Sequence, residues 1–211
     1  MPDCIVELKP RPRDRVTVSL TGGRFFTIPA EQAALLAPGR VLADDEVERL
    51  DRIDQYFRGR DKAMRLLALR ARTQHEMRTA LDALSILPAV RDGLLAELEE
   101  MGLVDDTRFA RDYVRVKADV RSMGPHRLRQ DLKRRGVQRA VVDGAVGEEL
   151  TPERQEATAR ALVARKLGAG APDEKTVRRI AGMLRRKGFD YEIVNRIAYE
   201  LLQRVGRDVD D

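Results

Sequence analysis

The sequence predicts a mainly α protein, three tandem three-helix repeats preceded by a small N-terminal extension that contains a β-hairpin. Three observations predict it. First, a spaced apolar triplet recurs as Met77/Leu81/Ile86, Leu128/Leu132/Val137 and Ile180/Leu184/Phe189. The first two members sit four apart, which places both on one helix face. In the second and third copies Gly136 and Gly188 precede the last member, as suits the left-handed turn that ends a helix. Second, Val90, Val141 or Ile193 follows four residues after each triplet and opens another helix. Third, the first sixty residues lack this pattern, and within them Arg15–Leu20 alternates apolar with polar residues instead. Repetition of one helical unit favours an extended binding surface over a single catalytic pocket.

The elements follow in order. Ile5-Val6-Glu7-Leu8 is a candidate strand. Arg15–Leu20 alternates with β-branched residues, Thr21-Gly22-Gly23-Arg24 interrupts, and Phe25-Phe26-Thr27-Ile28 resumes, which is a hairpin signal. Pro29 opens a short helix over 30–36, stopped by Pro38-Gly39. From Asp44 or Asp45 a charged helix runs to about Arg58 and stops at Gly59, closing the extension at residue 60. The first repeat occupies 61–105, with helices near 61–71, 74–84 and 88–101. The second occupies 106–150, with helices near 106–121, 125–135 and 138–148. The third occupies 151–205, with helices near 152–167, 173–187 and 190–205. Gly102 stops one helix, and an Asp at 105 or 106 caps the next. Thr151-Pro152-Glu153 is a helix start with proline at its first position. Gly168-Ala169-Gly170-Ala171-Pro172 reads as a loop, and residues 206–211 read as a frayed tail.

Composition narrows the function classes. Aromatic residues make up 4% and tryptophan is absent, so Leu, Ala, Val and Ile must build the core. Charged residues reach 36%, as expected of narrow helices that expose much of their surface. No apolar run approaches the length of a membrane span. The start, Met1-Pro2-Asp3-Cys4, does not read as a secretion signal, and the single cysteine has no internal partner. A cytoplasmic protein is expected.

The net charge of +5 is uneven: residues 107–148 carry eleven basic and five acidic side chains, net +6. Residues 1–60 are neutral, and 61–106 carry six and nine. Of 40 basic residues 33 are Arg, which favours bidentate contacts to carboxylate or phosphate, although a codon preference gives the same bias.

The stretch Gly102-Leu103-Val104-Asp105-Asp106-Thr107-Arg108-Phe109-Ala110 leads into Tyr113-Val114. Gly124, Leu128, Leu132, Arg135-Gly136-Val137 and Arg186-Lys187-Gly188-Phe189 follow. Together, over about residues 61–205, these resemble the RecX family, regulators of the RecA recombinase. The first repeat departs from the family pattern, with Leu84-Ser85-Ile86 where Lys-Gly-Phe is common. The resemblance implies three three-helix repeats in an elongated, curved array. It also implies a non-enzymatic role: binding the RecA–DNA filament and suppressing ATP hydrolysis, strand exchange and coprotease activity, and so modulating recombination and the SOS response.

Site candidates are few. The repeat triplets, with Phe109, Tyr113 and Phe189, read as core. Asp105 and Asp106 read as helix caps rather than an acid–base pair. His75 and His126, with one remote cysteine, make no metal-ligand set, and no nucleophile elbow or phosphate loop occurs. No cofactor and no catalytic residue is expected. The remaining feature is a basic helix carrying Arg127, Arg129, Lys133, Arg134 and Arg135. Arg127 and Arg134 share one face; Arg129 and Lys133 share another. With Lys117 and Arg121 they form a candidate positive strip, echoed by Arg178, Arg179, Arg185, Arg186 and Lys187. The strip suits acidic protein or phosphate; a solvated face with local ion pairs is the plainer reading.

Three functions compete. The RecA filament regulator leads, with DNA contacted weakly or through RecA. A direct DNA-binding protein of helix-turn-helix-like repeats is the alternative, but base-reading side chains and stacking aromatics are sparse. A helical scaffold for another partner is the third. A monomer is expected, because no heptad seam is evident.

Overall fold

The computed structural model describes residues 3–167 and 172–207. The expected loop at 168–172 and the end of the expected tail therefore lie largely outside the described residues. The chain divides into two compact units, Met1–Arg72 with Glu76–Val104 and Thr73–His75 with Asp105–Asp211. Among the described residues there are four strands and ten helices.

The first unit opens with an antiparallel sheet of β1 (Asp3–Arg11), β2 (Arg15–Leu20), β3 (Phe25–Pro29) and β4 (Val41–Leu42), in the order β3-β2-β1-β4. The hairpin is in the expected place, with Val18 opposite Phe26 and Val16 opposite Ile28. Gly22 and Gly23 both take positive φ in its turn. The inward face carries Ile5, Val18, Leu20, Phe26, Ile28 and Leu42, which cluster with Val47 and Leu50 of α2. A four-residue α1 (Ala30–Ala33) is shorter than the expected 30–36, and the two-residue β4 carries too little pattern to be read from sequence.

The expected stop at Gly59 is absent. Helix α2 (Asp44–Leu69) runs through it for 26 residues. Gly59 is buried, and a Cβ there would lie 2.9 Å from Ile86 Cδ1 and 3.0 Å from Leu94 Cδ2. Its lack of a side chain therefore serves close packing, not termination. The N-terminal half of α2 covers the sheet. The C-terminal half joins α3 (Gln74–Asp82) and α4 (Pro88–Glu100) around Ala63, Met77, Leu81, Ile86, Leu94, Leu95 and Leu98. Arg15 of β2 clamps sheet to helix by two bonds to Asp61, at 2.6 and 2.8 Å, and its guanidinium lies over Phe57. Asp54 accepts from the Thr27 N–H at 2.8 Å, occupying a donor on the edge strand.

The second unit holds two bundles. Helices α5 (Asp106–Arg121), α6 (Pro125–Arg134) and α7 (Arg139–Glu149) enclose Ala110, Val114, Leu128, Leu132, Val137 and Val146. Helices α8 (Pro152–Leu167), α9 (Glu174–Lys187) and α10 (Tyr191–Arg207) enclose Leu162, Val177, Ile180, Leu184, Phe189 and Ile197. Residues 206 and 207, expected to fray, continue α10. Every member of the three triplets is buried, and together they anchor the second helix of each bundle.

The turns share one conformation. Gly136 and Gly188 have φ of 77° and 85°, and Ser85 takes the same left-handed position at 52°. Their N–H groups bond the carbonyl three residues back, those of Asp82, Lys133 and Arg185. The departure from glycine in the first repeat thus changes the residue and leaves the turn intact.

Two predictions follow from the first unit. Ser85→Gly should stabilise it by about 0.5–1 kcal/mol, since a Cβ in this region costs more than glycine's added chain entropy. A higher midpoint in urea is the check. The Arg15 hydrogen bond holds the Asp61 carboxyl below its ordinary value of 3.8. Its contribution is therefore fully present above that value and disappears as pH falls through the lower folded pKa. Asp61→Asn should cost about 1–2 kcal/mol at neutral pH. Below the folded pKa its melting curve should converge with that of the parent.

Candidate interaction site

The site is built where α6 begins and α9 ends, both within the second unit. Helix α9 finishes at Gly188, leaving unpaired terminal carbonyls; α6 begins after Gly124 with unpaired N–H groups. The two ends satisfy each other. Gly124 N donates to Lys187 O at 2.8 Å, and His126 N donates to Gly188 O at 3.0 Å. The helix dipoles therefore meet head to tail. A Cβ on Gly124 would sit 2.4 Å from the Gly188 carbonyl carbon, and one on Gly188 would sit 2.4 Å from Arg127 N. Both glycines are required by the approach of two backbones.

Side chains reinforce the joint. Lys187 Nζ donates to Arg121 O at 2.6 Å, tying the end of α5 to α9. Ser122, buried and left-handed at φ 46°, accepts from Arg165 Nη2 of α8 at 2.9 Å. His126 Nε2 lies 3.0 Å from Asp190. A related close approach occurs at Gly136, where an added Cβ would lie 2.3 Å from His75 Cβ.

Around the joint lies an open cleft of about 420 Å³. Helix α5 lines it with Tyr113, Lys117 and Arg121, and Met123 follows; α6 adds Arg127 and Asp131, and α9 adds Met183, Arg186 and Lys187. Five cations thus face one carboxylate. Asp131 is held in place by Arg134, by Arg127 at 3.6 Å and by the Tyr113 hydroxyl at 3.3 Å. The Tyr113 ring carries a cation at each of two positions, Lys117 Nζ at 5.5 Å and the Arg135 guanidinium at 5.1 Å from its centre.

The candidate basic residues separate into groups. Lys117, Arg121, Arg127 and Arg186 come together in the cleft. Arg134 reaches the same Asp131 from outside it, and Arg135 covers Phe109 and Tyr113. Arg129 turns away to Asp143 on α7, at 3.2 Å. Arg178 pairs with Glu174 at 3.0 Å. Lys133, Arg179 and Arg185 are exposed. Tyr113, read from sequence as core rather than a contact residue, packs against the core of its bundle and, half-buried, also forms a cleft wall. Sequence reading did not single out Met123, Asp131 or Met183, whose role arises only when α5, α6 and α9 converge. Asp105 caps α5 by accepting from Arg108 N at 2.9 Å. Asp106 accepts instead from Gln74 N at 2.8 Å.

Among the described residues, no group of three or more His, Cys, Asp or Glu side chains is placed to hold a metal. No helix among them is long and apolar enough to cross a membrane. Fold and cleft define a helical-repeat protein with a cationic face around the α5–α6–α9 cleft.

Residues 105–146 match the model of the RecX second three-helix domain, and residues 153–197 match that of the third. The chain is 38% identical over 159 residues to the regulatory protein RecX of Thermobifida fusca, covering 74% of this chain and 85% of that relative. The Streptomyces coelicolor regulatory protein RecX is 35% identical over 159 residues, covering 74% and 84%. A crystal structure of a regulatory protein RecX superposes with a TM-score of 0.68 at 22% identity, covering 92% of this chain and 97% of that one. The RecX structure from Lactobacillus salivarius gives 0.63 at 24%, covering 70% and 97%. The chain belongs to the RecX family, whose members are regulatory proteins.

Gly124→Ala should force the α6 and α9 ends apart and cost about 1–3 kcal/mol. Amide exchange should accelerate first at position 124 and at His126, whose N–H groups cross the joint, while the first unit's amides stay unchanged.

Proposed function

We propose that this chain regulates the RecA recombinase by docking on the RecA–DNA filament with the cationic face around the α5–α6–α9 cleft. The observation that carries the proposal is the cleft itself: five cations against one carboxylate, held by backbone-to-backbone bonds between two bundles. Such a surface recognises negative charge without making or breaking bonds. Its mixture of Arg and Lys suits carboxylates and phosphates of an assembled polymer. Membership of a regulatory family supports the same reading. A body docked this way works by occupying space. It spans neighbouring protomers, obstructs the groove needed by a second DNA or a cleavable repressor, and resists the subunit motions of ATP turnover. It acts in the cytoplasm, where the filament assembles, and touches DNA weakly or through RecA.

The test is RecA's single-strand-DNA-dependent ATPase, titrated with this chain at fixed RecA. The triple variant Lys117→Ala, Arg127→Ala, Arg186→Ala should raise the half-inhibiting concentration by about tenfold or more. Lys187 is left alone because its ammonium bonds the Arg121 carbonyl. Helicity and melting should match the parent, and Lys166→Ala, an exposed change on α8, should inhibit normally. Added salt should weaken the parent more than the triple variant. Full inhibition by the folded triple variant removes the cleft from the mechanism.

A further inference from the structure

The cleft has an apolar border that the charge pattern conceals. Val116 and Val120 lie four apart on α5 and are 50% and 71% exposed. Helical spacing sets Val116 beside Tyr113 and Val120 beside Lys117, so the valines continue the α5 wall of the cleft outward. Met123 and Met183 add soft apolar surface within it. An aliphatic border beside clustered cations adds little to phosphate binding, since a nucleic-acid backbone meets cations through its charged oxygens and has no branched aliphatic side chain to place there. Base stacking is also disfavoured, because Lys117 and Arg135 already lie against the Tyr113 ring.

We infer that the cleft and its valine border receive an acidic protein segment, with a carboxylate among Lys117, Arg127 and Arg186 and a neighbouring aliphatic side chain on Val116 and Val120. Arg127 and Arg186 supply the fork geometry that carboxylates accept. The valines supply selectivity, rejecting a partner that offers charge alone. This deepens the filament reading by assigning the cleft to the protein part of the polymer rather than its DNA. It rests on that reading only for the identity of the partner.

The experiment uses the full chain and three probes: a short Asp/Glu-rich peptide carrying one central leucine, the same peptide with serine there, and an oligothymidylate. Binding is followed by fluorescence anisotropy and by the methyl signals of Val116 and Val120. The leucine peptide should shift both methyl signals and bind about tenfold tighter than the serine peptide. Val116→Ser with Val120→Ser should erase that difference and leave oligothymidylate binding unchanged. Lys117→Glu with Arg186→Glu should abolish binding of both peptides. Equal affinity for the two peptides, or still methyl signals, overturns the inference. So does an oligothymidylate that binds more tightly than the leucine peptide through Lys117 and Arg186, since the cleft is then a phosphate site. A chain that binds the leucine peptide as expected yet leaves RecA's ATPase at full rate keeps this site and removes the recombinase as its partner.

Discussion

The contact between Gly124 and Gly188 is the constraint on which the second unit depends. Two backbones approach closely enough that neither residue can carry a Cβ, and two hydrogen bonds from the α6 end to the α9 end satisfy part of the unpaired groups of both. Because the bonds join main chain to main chain, the geometry of the joint is set by the peptide groups themselves. Long, exposed cationic side chains then sit on a frame that has little freedom to spread, and like charges remain clustered despite their repulsion. Lys187 illustrates the economy of the arrangement. Its ammonium satisfies the last carbonyl region of α5 while its stem lines the cleft.

Charge in this protein is divided by a few carboxylates. Asp131 and Asp143 stand on different sides of the α6 bundle and draw its arginines apart, Arg127 and Arg134 to one and Arg129 to the other. The exposed Arg129–Asp143 pair contributes little to stability, because water screens it and ordering both side chains costs entropy. The consequence of these pairs is positional. A helix that reads as uniformly basic in sequence presents its cations in two directions, and only one of these meets the cations of α5 and α9.

The first unit solves a different problem. A small antiparallel sheet buries one face only if another element covers it, and the N-terminal half of α2 does so. The same helix continues past Gly59 into the bundle of α3 and α4, where Ile86 and Leu94 fill the space a side chain would take. The Arg15–Asp61 pair fixes the sheet to this shared helix, and Asp54 occupies an edge-strand donor left open by the sheet order.

Much of this was legible in the residues alone. The triplets led by Met77, Leu128 and Ile180 determine which faces are buried, because a four-residue step on a helix leaves no choice of partner face. Caps and breakers such as Asp105, Pro152, Gly136 and Gly188 set helix ends within a residue or two. Gly59 was misleading because a glycine that ends a helix and one that admits a neighbour are the same letter. Ser85 was unreadable for the converse reason, since it holds a left-handed turn that a serine rarely adopts. The Arg-rich composition determined that a cationic surface exists. Which cations assemble, and that Met123 and Met183 lie among them, was decided by the tertiary structure. Residues more than fifty positions apart, such as Lys117 and Arg186, become neighbours only through the backbone contact at two glycines, and local sequence carries no record of that distance.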